Sequence, residues 1–172
     1  INFRSIINQK DVSGVSLFNL NTYFWEQEDN TDTFFKYLKK QNTDIFTFQE
    51  FLVVNKELAL NTLREEFSEY SIVQEGEYIT MSRFEIEDVK VGGLDLDTFM
   101  RTDIRIDGHL VSIYNIHLPV HIRPSGFSSL EGFLSDTKER YEWRKAEFLH
   151  IADEIQKNNN PVILAGDFNT TH

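Results

Sequence analysis

The sequence contains no cysteine and little proline, glycine or positive charge, and each of these shortages excludes something. Without cysteine, the 172-residue chain can form neither a disulfide nor a thiolate metal site. Three prolines and eight glycines are too few for long disordered or low-complexity stretches. The sequence also has no internal repeat, and we predict that residues 1–172 form one globular domain.

A long apolar run is also absent. No window approaches the roughly 18 to 20 consecutive apolar residues that cross a bilayer, and no cleavable leader is visible. Because the chain starts with Ile1 rather than methionine, we expect a segment upstream of it, such as a targeting sequence or a membrane anchor. No sequence feature indicates an obligate protein partner.

Basic residues are outnumbered. Lysine and arginine total 17 against 28 acidic residues, so the net charge is -11. Such a chain repels polyanions over most of its surface, which weighs against tight nucleic-acid binding. A phosphoester hydrolase stays compatible with this charge, because a bound divalent cation can hold the phosphate.

The residues that are present indicate a mixed α/β (α+β) domain with an aromatic core that includes fifteen phenylalanines. Apolar patterns predict strands at 12–20, 44–50, 70–73, 78–84, 97–106, 110–115 and 162–165, and the last of these, a continuous apolar run, is predicted to be buried. Helical spacing predicts helices at 31–40, 55–67 and 137–157.

Further features of the sequence complete this prediction. Asp107 and Gly108 predict a hairpin turn, and residues 119–136 predict a long functional loop. The acidic stretches at 84–90 and 94–97 are interpreted as solvated charge. The buried face of the last helix is predicted to carry Phe148, Ile151, Ala152 and Ile155.

Polar side chains stand at the ends of four predicted strands. Residues two apart in a strand share a face. The set consists of Asn19 with Asn21, Glu50, Asn115 with His117, and Asp167 with Asn169. Because mixed α/β sheets place their sites at converging strand ends, we expect these side chains to meet.

Most of these side chains are oxygen donors. Carboxylate and amide oxygens select Mg²⁺, Mn²⁺ or Ca²⁺. Zinc fits less well, because Pro119 separates His117 from His121 and no acidic partner completes a zinc motif. His121 and His109 are interpreted as ordinary loop histidines.

The ordered motifs resemble the endonuclease/exonuclease/phosphatase (DNase I-like) superfamily, and within it bacterial members most closely. The matching stretches are FNLN at 18–21, TFQE at 47–50, SRFEI at 82–86, YNIHLP at 114–119 and GDFN at 166–169. The resemblance implies a four-layered β-sandwich, with two sheets face to face and helices outside them. It also implies that a C-terminal segment with a Ser-Asp-His motif is missing, since His172 follows GDFN too closely to supply it.

The resemblance implies a role for each strand-end residue. Glu50 and Asn21 would hold Mg²⁺ or Mn²⁺ with Asn19 beside them, although many relatives carry aspartate where Asn21 stands. Asp167 would orient or deprotonate the attacking water, Asn169 would donate to phosphoryl oxygens, and His117 would transfer a proton.

Three further residues are candidates for contact with a substrate phosphate. Arg144 lies at the edge of the last helix's apolar stripe, where a structural salt bridge is the alternative role. Arg101 could face the cleft from its strand. Asn115 could contact phosphate, or it could be a hydrogen-bonding residue behind the site.

The expected function is metal-dependent phosphoester hydrolysis by in-line attack of water, most simply as a phosphodiesterase or endonuclease. One alternative is a lipid or small-molecule phosphoesterase, and another is a noncatalytic binding domain that kept the fold. The chain as given is expected to be incomplete as a catalyst. Its location is open, and one expectation is the extracytoplasmic part of a longer membrane-anchored protein.

Overall fold

The computed structural model describes residues 14–25, 31–120, 122 and 129–170. Eight strands and three helices occur in this part of the chain. The strands are β1 Leu17–Asn21, β2 Ile45–Gln49, β3 Ser71–Glu75, β4 Tyr78–Ser82, β5 Glu85–Gly92, β6 Phe99–Ile106, β7 His109–His117 and β8 Val162–Asp167. The helices are α1 Thr31–Gln41, α2 Lys56–Glu66 and α3 Leu130–Gln156.

The strands form two four-stranded sheets. The first has the order β1-β2-β4-β3, with β1 and β2 parallel and the other pairs antiparallel. The second has the order β5-β6-β7-β8, with β7 and β8 parallel. Each sheet therefore contains one parallel pair whose carboxyl ends lie side by side, and these two pairs position the candidate site.

Alternation along the strands divides the apolar residues between two faces. Phe46 and Phe48 of β2 point outward into an aromatic core that α1 and α2 cover. Ile45, on the opposite face of β2, packs against Ile104 and Ile113 of the second sheet. The two sheets thus share an apolar core between them.

Helix α3 covers the outer face of the second sheet, where Ile151 packs with Phe99 and Tyr114. Its start is fixed by Ser129, whose side-chain oxygen accepts a hydrogen bond from the Gly132 N–H. With α1 and α2 on one side and α3 on the other, the molecule has the four layers expected. No helix in the described ranges is long and apolar enough to span a bilayer.

The structure corrects several sequence predictions. The charged segment 84–90 contains most of β5, whose alternating charges suit an exposed edge strand. Helix α3 begins at residue 130, so the end of the predicted loop 119–136 is helical. Phe148, predicted on the buried face, is 54% exposed, and Leu164 in the last strand is also exposed.

Some sequence predictions fall outside the described residues. They are the beginning of the first strand at Val12, the loop positions 121 and 123–128 with His121, and the final His172.

Candidate active site

The candidate site lies at the end of the sandwich where both parallel strand pairs finish. In the first sheet Asn21 pairs with Gln49, so Glu50 follows directly beside it. In the second sheet His117 pairs with Asp167. The Asn21 Nδ2 donates to Asp167 Oδ2 across 2.8 Å, a hydrogen bond that joins the two sheets. Strand pairing thus brings four sequence-predicted residues together.

Asn21 bridges the two carboxylates. Its Nδ2 donates to Glu50 Oε1 at 2.9 Å as well as to Asp167, while its Oδ1 accepts from the Tyr23 N–H at 3.0 Å. The amide therefore presents hydrogens, not lone pairs, to the carboxylates. In this arrangement Asn21 positions Glu50 and Asp167, and the metal contact expected of its oxygen stays a prediction.

Asn19 lies deeper, between the sheets. Its Oδ1 accepts from Thr47 Oγ1 at 2.9 Å and from Gln49 Nε2 at 2.8 Å. Gln49 is fully buried and its Nε2 also donates to Asn115 Oδ1, so the amides form a chain from one sheet to the other. The Asn19 oxygen is used in this chain of amides, and its expected place beside the metal stays a prediction.

Glu50 combines backbone strain with an unpaired carboxylate oxygen. Its φ of 60° lies in the left-handed region, which residues other than glycine and asparagine adopt rarely. Its Oε2 is buried and has no hydrogen-bond partner. Burying a charged oxygen without a partner is costly, and such atoms in folded proteins frequently mark a site for an ion or a catalytic role.

His117 is held from behind by a residue that the sequence analysis missed. Glu77 Oε1 lies 2.8 Å from His117 Nδ1, and His117 Nε2 lies 3.5 Å from Glu50 Oε1. Burial alone would lower the pKa of His117. The hydrogen bond and charge of Glu77, aided by the charges of Glu50 and Asp167, outweigh burial and raise the pKa above its usual value.

Glu77 lies in the turn between β3 and β4 and belongs to no motif. The one signal for it was topological. Strand β4 runs antiparallel to β2, so the turn that precedes β4 lies at the end of the sheet where Glu50 follows β2. The Phe51 N–H donates to the Glu77 carbonyl at 2.9 Å in this region.

In the stretch GDFN at 166–169, Gly166, Asp167 and Asn169 each have a different structural role. A Cβ on Gly166 would lie 1.9 Å from the Ile116 carbonyl oxygen, so only glycine permits this close strand pairing. Asp167 Oδ1 accepts from the Asn169 N–H at 2.8 Å, and Asn169 Nδ2 donates to the Leu118 carbonyl at 2.6 Å. Asn169 therefore fastens the turn after β8 to the turn after β7.

Comparison with known proteins identifies this architecture. The model of the Endonuclease/Exonuclease/phosphatase family matches residues 16–172. The chain belongs to this family. No curated protein matches the sequence.

Solved structures of the same fold include an AP endonuclease from Archaeoglobus fulgidus, with 19% identity and a TM-score of 0.63 over 91% of this chain and 58% of that chain. Beta toxin from Staphylococcus aureus shares 18% identity, with a TM-score of 0.64 over 91% and 65%. TDP2 from D. rerio shares 15% identity, with a TM-score of 0.64 over 94% and 63%. The chain therefore spans about three fifths of the length of these structures, and at such identities the likeness establishes the fold alone.

In this Endonuclease/Exonuclease/phosphatase domain, Arg144 anchors two loops. Its Nη1 donates to the Pro119 carbonyl and its Nη2 to the Phe168 carbonyl at 2.8 Å. Burial lowers the pKa of Arg144, while the charge of Asp167 opposes that shift. The guanidinium thus positions the loops that follow His117 and Asp167. The phosphate contact considered from the sequence stays a prediction.

The other two phosphate candidates lie away from the site. Arg101 is on the outer face of the second sheet, where its Nη2 donates to Asp103 Oδ2 at 3.0 Å and to Asp88 Oδ2 at 3.2 Å. Asn115 is fully buried and donates to the Phe48 and Ile79 carbonyls at 2.9 and 3.0 Å. Phosphate contact by Arg101 and Asn115 therefore gains no support from their positions and stays a prediction, while the alternative role of Asn115 behind the site fits its position.

A cavity opens beside Asp167. It has a volume of about 440 Å³ and is lined by Asp167, Asn169, Thr170, Gly166, Phe168, Val120 and Ile122. Its lining therefore combines polar side chains with the apolar side chains of Val120, Ile122 and Phe168.

The donor atoms fit a hard cation that is completed by other ligands. In the described part of the chain, no group of three or more His, Asp or Glu side chains is arranged to hold a metal alone. Mg²⁺ needs only one or two carboxylates when water and substrate phosphate complete its shell. The buried, unpartnered Oε2 of Glu50 supplies such a ligand.

Proposed function

We propose that this domain is a Mg²⁺- or Mn²⁺-dependent phosphodiester hydrolase. One observation carries the proposal. An unpartnered carboxylate oxygen of Glu50, the carboxylate of Asp167 and the His117–Glu77 pair meet at one end of the sandwich. A cation ligand, a group that orients water and a proton donor are the three requirements for hydrolysing a phosphodiester.

Glu50 would hold the cation, which when bound supplies positive charge beside the phosphoryl oxygens. Oxygen ligands favour Mg²⁺ and Mn²⁺. In support, the S. aureus beta toxin structure of this fold contains bound magnesium ions.

Asp167 would orient water for in-line attack. The water oxygen forms the new bond to phosphorus as the bond to the leaving oxygen breaks, and Asp167 accepts the proton that the water loses. The Asn21 and Asn169 N–H groups bind one oxygen each of this carboxylate, so its orientation is fixed before substrate arrives.

His117 would donate a proton to the leaving oxygen. Its Nδ1 is engaged by Glu77, which leaves Nε2 on the side of Glu50. Because Glu77 raises the pKa of His117, the charged imidazolium persists to higher pH, and the ring can act as the acid.

Two observations bear on whether the phosphodiester substrate is a nucleic acid. The D. rerio TDP2 structure contains a single-strand DNA product, which supports the endonuclease expectation. The net charge of -11 opposes it, because phosphate backbones are held mainly by lysine and arginine. The endonuclease assignment stays a prediction.

A noncatalytic binding domain is the second candidate, and Asn21 is the observation in its favour. The Asn21 amide already satisfies one oxygen of both carboxylates without a cation. In such a domain the polar cluster would serve only to join the two sheets.

The test is hydrolysis of bis(p-nitrophenyl) phosphate by the purified protein with Mg²⁺, with Mn²⁺ and with EDTA. We expect activity with either metal, none with EDTA, and a loss of at least about a hundredfold in Asp167→Asn. The exposed Asp153→Asn on α3 is the matched control. Absence of turnover with every metal, or equal rates in both variants, would support the noncatalytic domain.

A further inference from the structure

One side-chain amide joins the ends of three strands at the candidate site. Asn21 is the last residue of β1 and Glu50 follows β2 in the same sheet, whereas Asp167 ends β8 in the other sheet. The Asn21 Nδ2 donates to Glu50 Oε1 at 2.9 Å and to Asp167 Oδ2 at 2.8 Å. Since an amide nitrogen carries two hydrogens, one is available for each carboxylate.

The direction of the Asn21 amide is fixed from its other side. Its Oδ1 accepts a hydrogen bond from the Tyr23 N–H at 3.0 Å. Turned over, the amide would set its oxygen against two carboxylate oxygens and its hydrogens against an N–H donor. Only the observed orientation therefore satisfies all three partners, and Asn21 is a donor toward both carboxylates.

The loop after β1 holds this amide in place. Thr22 is buried, and its N–H and hydroxyl both donate to the Gln49 carbonyl, at 2.9 and 2.7 Å. Residues 23–25 follow with φ values of 48°, 59° and 55°. Three successive non-glycine residues in the left-handed region are costly, and such conformations cluster at functional sites. This conformation presents the Tyr23 N–H to Asn21.

The two carboxylates that share the Asn21 amide are partly shielded from water. The Glu50 side chain is 16% exposed, and its hydrogen bond with Asn21 is partly buried. Like charges repel more strongly where little water screens them. Hydrogen bonds to a charged acceptor stabilise the folded state more than bonds between neutral groups do. Asn21 therefore keeps Glu50 and Asp167 together without adding a charge of its own.

Aspartate at position 21 would reverse this effect, because it has almost the size of asparagine but no hydrogen to donate when charged. It would set a third carboxylate against Glu50 and Asp167. In the described ranges no group of three or more His, Asp or Glu side chains is arranged to hold a metal. Three facing carboxylates would form such a group and would need a cation to offset their repulsion.

We propose that Asn21 makes the folded state of the site end independent of the cation, so that the metal is required for hydrolysis and not for stability. This inference rests on the proposed hydrolase function and adds how the site tolerates the loss of its metal. Asn21 donates to Oε1 of Glu50 and leaves the buried Oε2 for the cation, so the two interactions are compatible. Asn21 is thus a positioning residue.

The test is thermal unfolding of the wild type and of Asn21→Asp in EDTA and in about 10 mM Mg²⁺, at matched ionic strength. We expect the Tm of the wild type to differ by less than about 2 °C between the two solutions. Asn21→Asp should lose about 8 °C in EDTA, because two charge-assisted hydrogen bonds become repulsions, and Mg²⁺ should restore at least about 4 °C of that loss.

Asn61→Asp is the matched control, because it adds the same charge at an exposed position of α2 and should behave as the wild type. A second variant covers the case that Asn21→Asp does not fold. In Asn21→Asp, Glu50→Gln an amide again faces a carboxylate. This double variant should fold in EDTA, with a higher Tm than Asn21→Asp and no response to Mg²⁺.

Three outcomes would overturn the inference. The first is an equal Tm for Asn21→Asp and the wild type in EDTA, and the second is an equal gain from Mg²⁺ in both proteins. The third is a double variant that is no more stable in EDTA than Asn21→Asp.

Melting curves require no turnover, so they separate this inference from the proposed function. Hydrolysis of bis(p-nitrophenyl) phosphate by a wild type whose Tm depends strongly on Mg²⁺ would remove the inference and leave the hydrolase. A Tm that responds to Mg²⁺ only in Asn21→Asp, without hydrolysis by the wild type with either metal, would remove the hydrolase and keep the role of Asn21 between the carboxylates.

Discussion

The two ends of the sandwich differ in how many hydrogen-bond donors surround a carboxylate. At the end away from the site, Asp44 Oδ2 accepts from the Ser16 N–H and hydroxyl at 2.8 and 2.6 Å, and Arg83 Nη1 lies 3.7 Å from Asp44 Oδ1. At the site end, Glu50 keeps a buried carboxylate oxygen without a partner. The far end gives its carboxylate two hydrogen-bond donors and a nearby guanidinium, whereas the site end leaves one buried carboxylate oxygen without a partner.

This difference separates stability from function. A carboxylate with several donors stabilises the folded state, whereas a buried oxygen without donors costs free energy unless it binds something. Glu50 also adopts a left-handed backbone conformation. The protein therefore accepts local instability at Glu50, as enzymes commonly do at residues that function requires.

The largest expected effect comes from neutralising Glu50. Glu50→Gln keeps an oxygen to accept from Asn21 but removes the charge that would hold a cation. We expect kcat/KM on bis(p-nitrophenyl) phosphate with Mg²⁺ to fall about a thousandfold, or ~4 kcal/mol. We expect Tm to stay equal or rise, because an unpaired buried charge is removed. Calorimetry and steady-state kinetics on the same sample measure both effects.

Glu57→Gln is the matched control for that variant. Glu57 is an exposed carboxylate in the first turn of α2, and its neutralisation should leave activity within about twofold. A drop in Tm for Glu50→Gln with kcat/KM unchanged would show that Glu50 stabilises the fold, as Asp44 does at the far end, and has no role in catalysis.

Glycine gives the next comparison between the two ends. A methyl group on Gly166 would collide with the Ile116 backbone, whereas Gly108, with φ of 81° in the far hairpin, has nothing within 4 Å of a Cβ. We expect Gly166→Ala to lower the free energy of unfolding by about 3 kcal/mol and Gly108→Ala by about 1 kcal/mol. Urea denaturation measures both, and similar losses would show that β7 and β8 can separate without cost.

Sequence patterns predicted strand ends better than side-chain directions. Alternation correctly paired Asn115 with His117, but it could not show that Asn115 lies between the sheets, two residues deeper than His117. For the same reason Asn19 was predicted beside Asn21 at the metal. Arg101 shares a face with Asp103, and parity within a strand does not say which face looks toward the site.

Other residues escaped prediction because their signals were nonlocal. Glu77 lies in a tight turn, and its importance depends on His117, 40 positions away in sequence. The charges of β5 resemble those of a solvated loop, since an exposed edge strand has little apolar alternation. The motif FNLN and the motif GDFN predicted a shared pocket, whereas the bridging geometry of Asn21 required coordinates.

Removing the charge of Glu77 tests whether this carboxylate raises the pKa of His117 at the site end. In Glu77→Gln the raised pKa of His117 should fall, because burial would no longer be outweighed to the same extent. NMR titration of the imidazole protons measures this fall, and activity at neutral pH should drop about tenfold as the acid form is depleted.

The stability of that variant should depend on pH in a defined direction. A raised folded-state pKa means that protonated His117 stabilises the protein below its unfolded pKa, and this contribution disappears as pH rises through the folded value. The wild type should therefore exceed Glu77→Gln in stability most clearly in mildly acidic solution. The exposed Glu75→Gln is the matched control, and an equal shift of the His117 pKa in both variants would show that Glu77 has no specific role.

The smallest expected effect lies at the far end, at Asp44. The hydrogen bonds from the Ser16 side chain and backbone, with help from Arg83, lower the pKa of Asp44 against a smaller opposing effect of burial. A lowered pKa means that this stabilisation is present above the unfolded pKa and is lost as pH falls through the folded value. Asp44→Ala should cost about 1 kcal/mol at neutral pH and much less in strong acid, while phosphodiester hydrolysis stays unchanged. A double-mutant cycle with Ser16→Ala isolates the pair, and a loss of activity in either variant would show that the far end is not confined to stability.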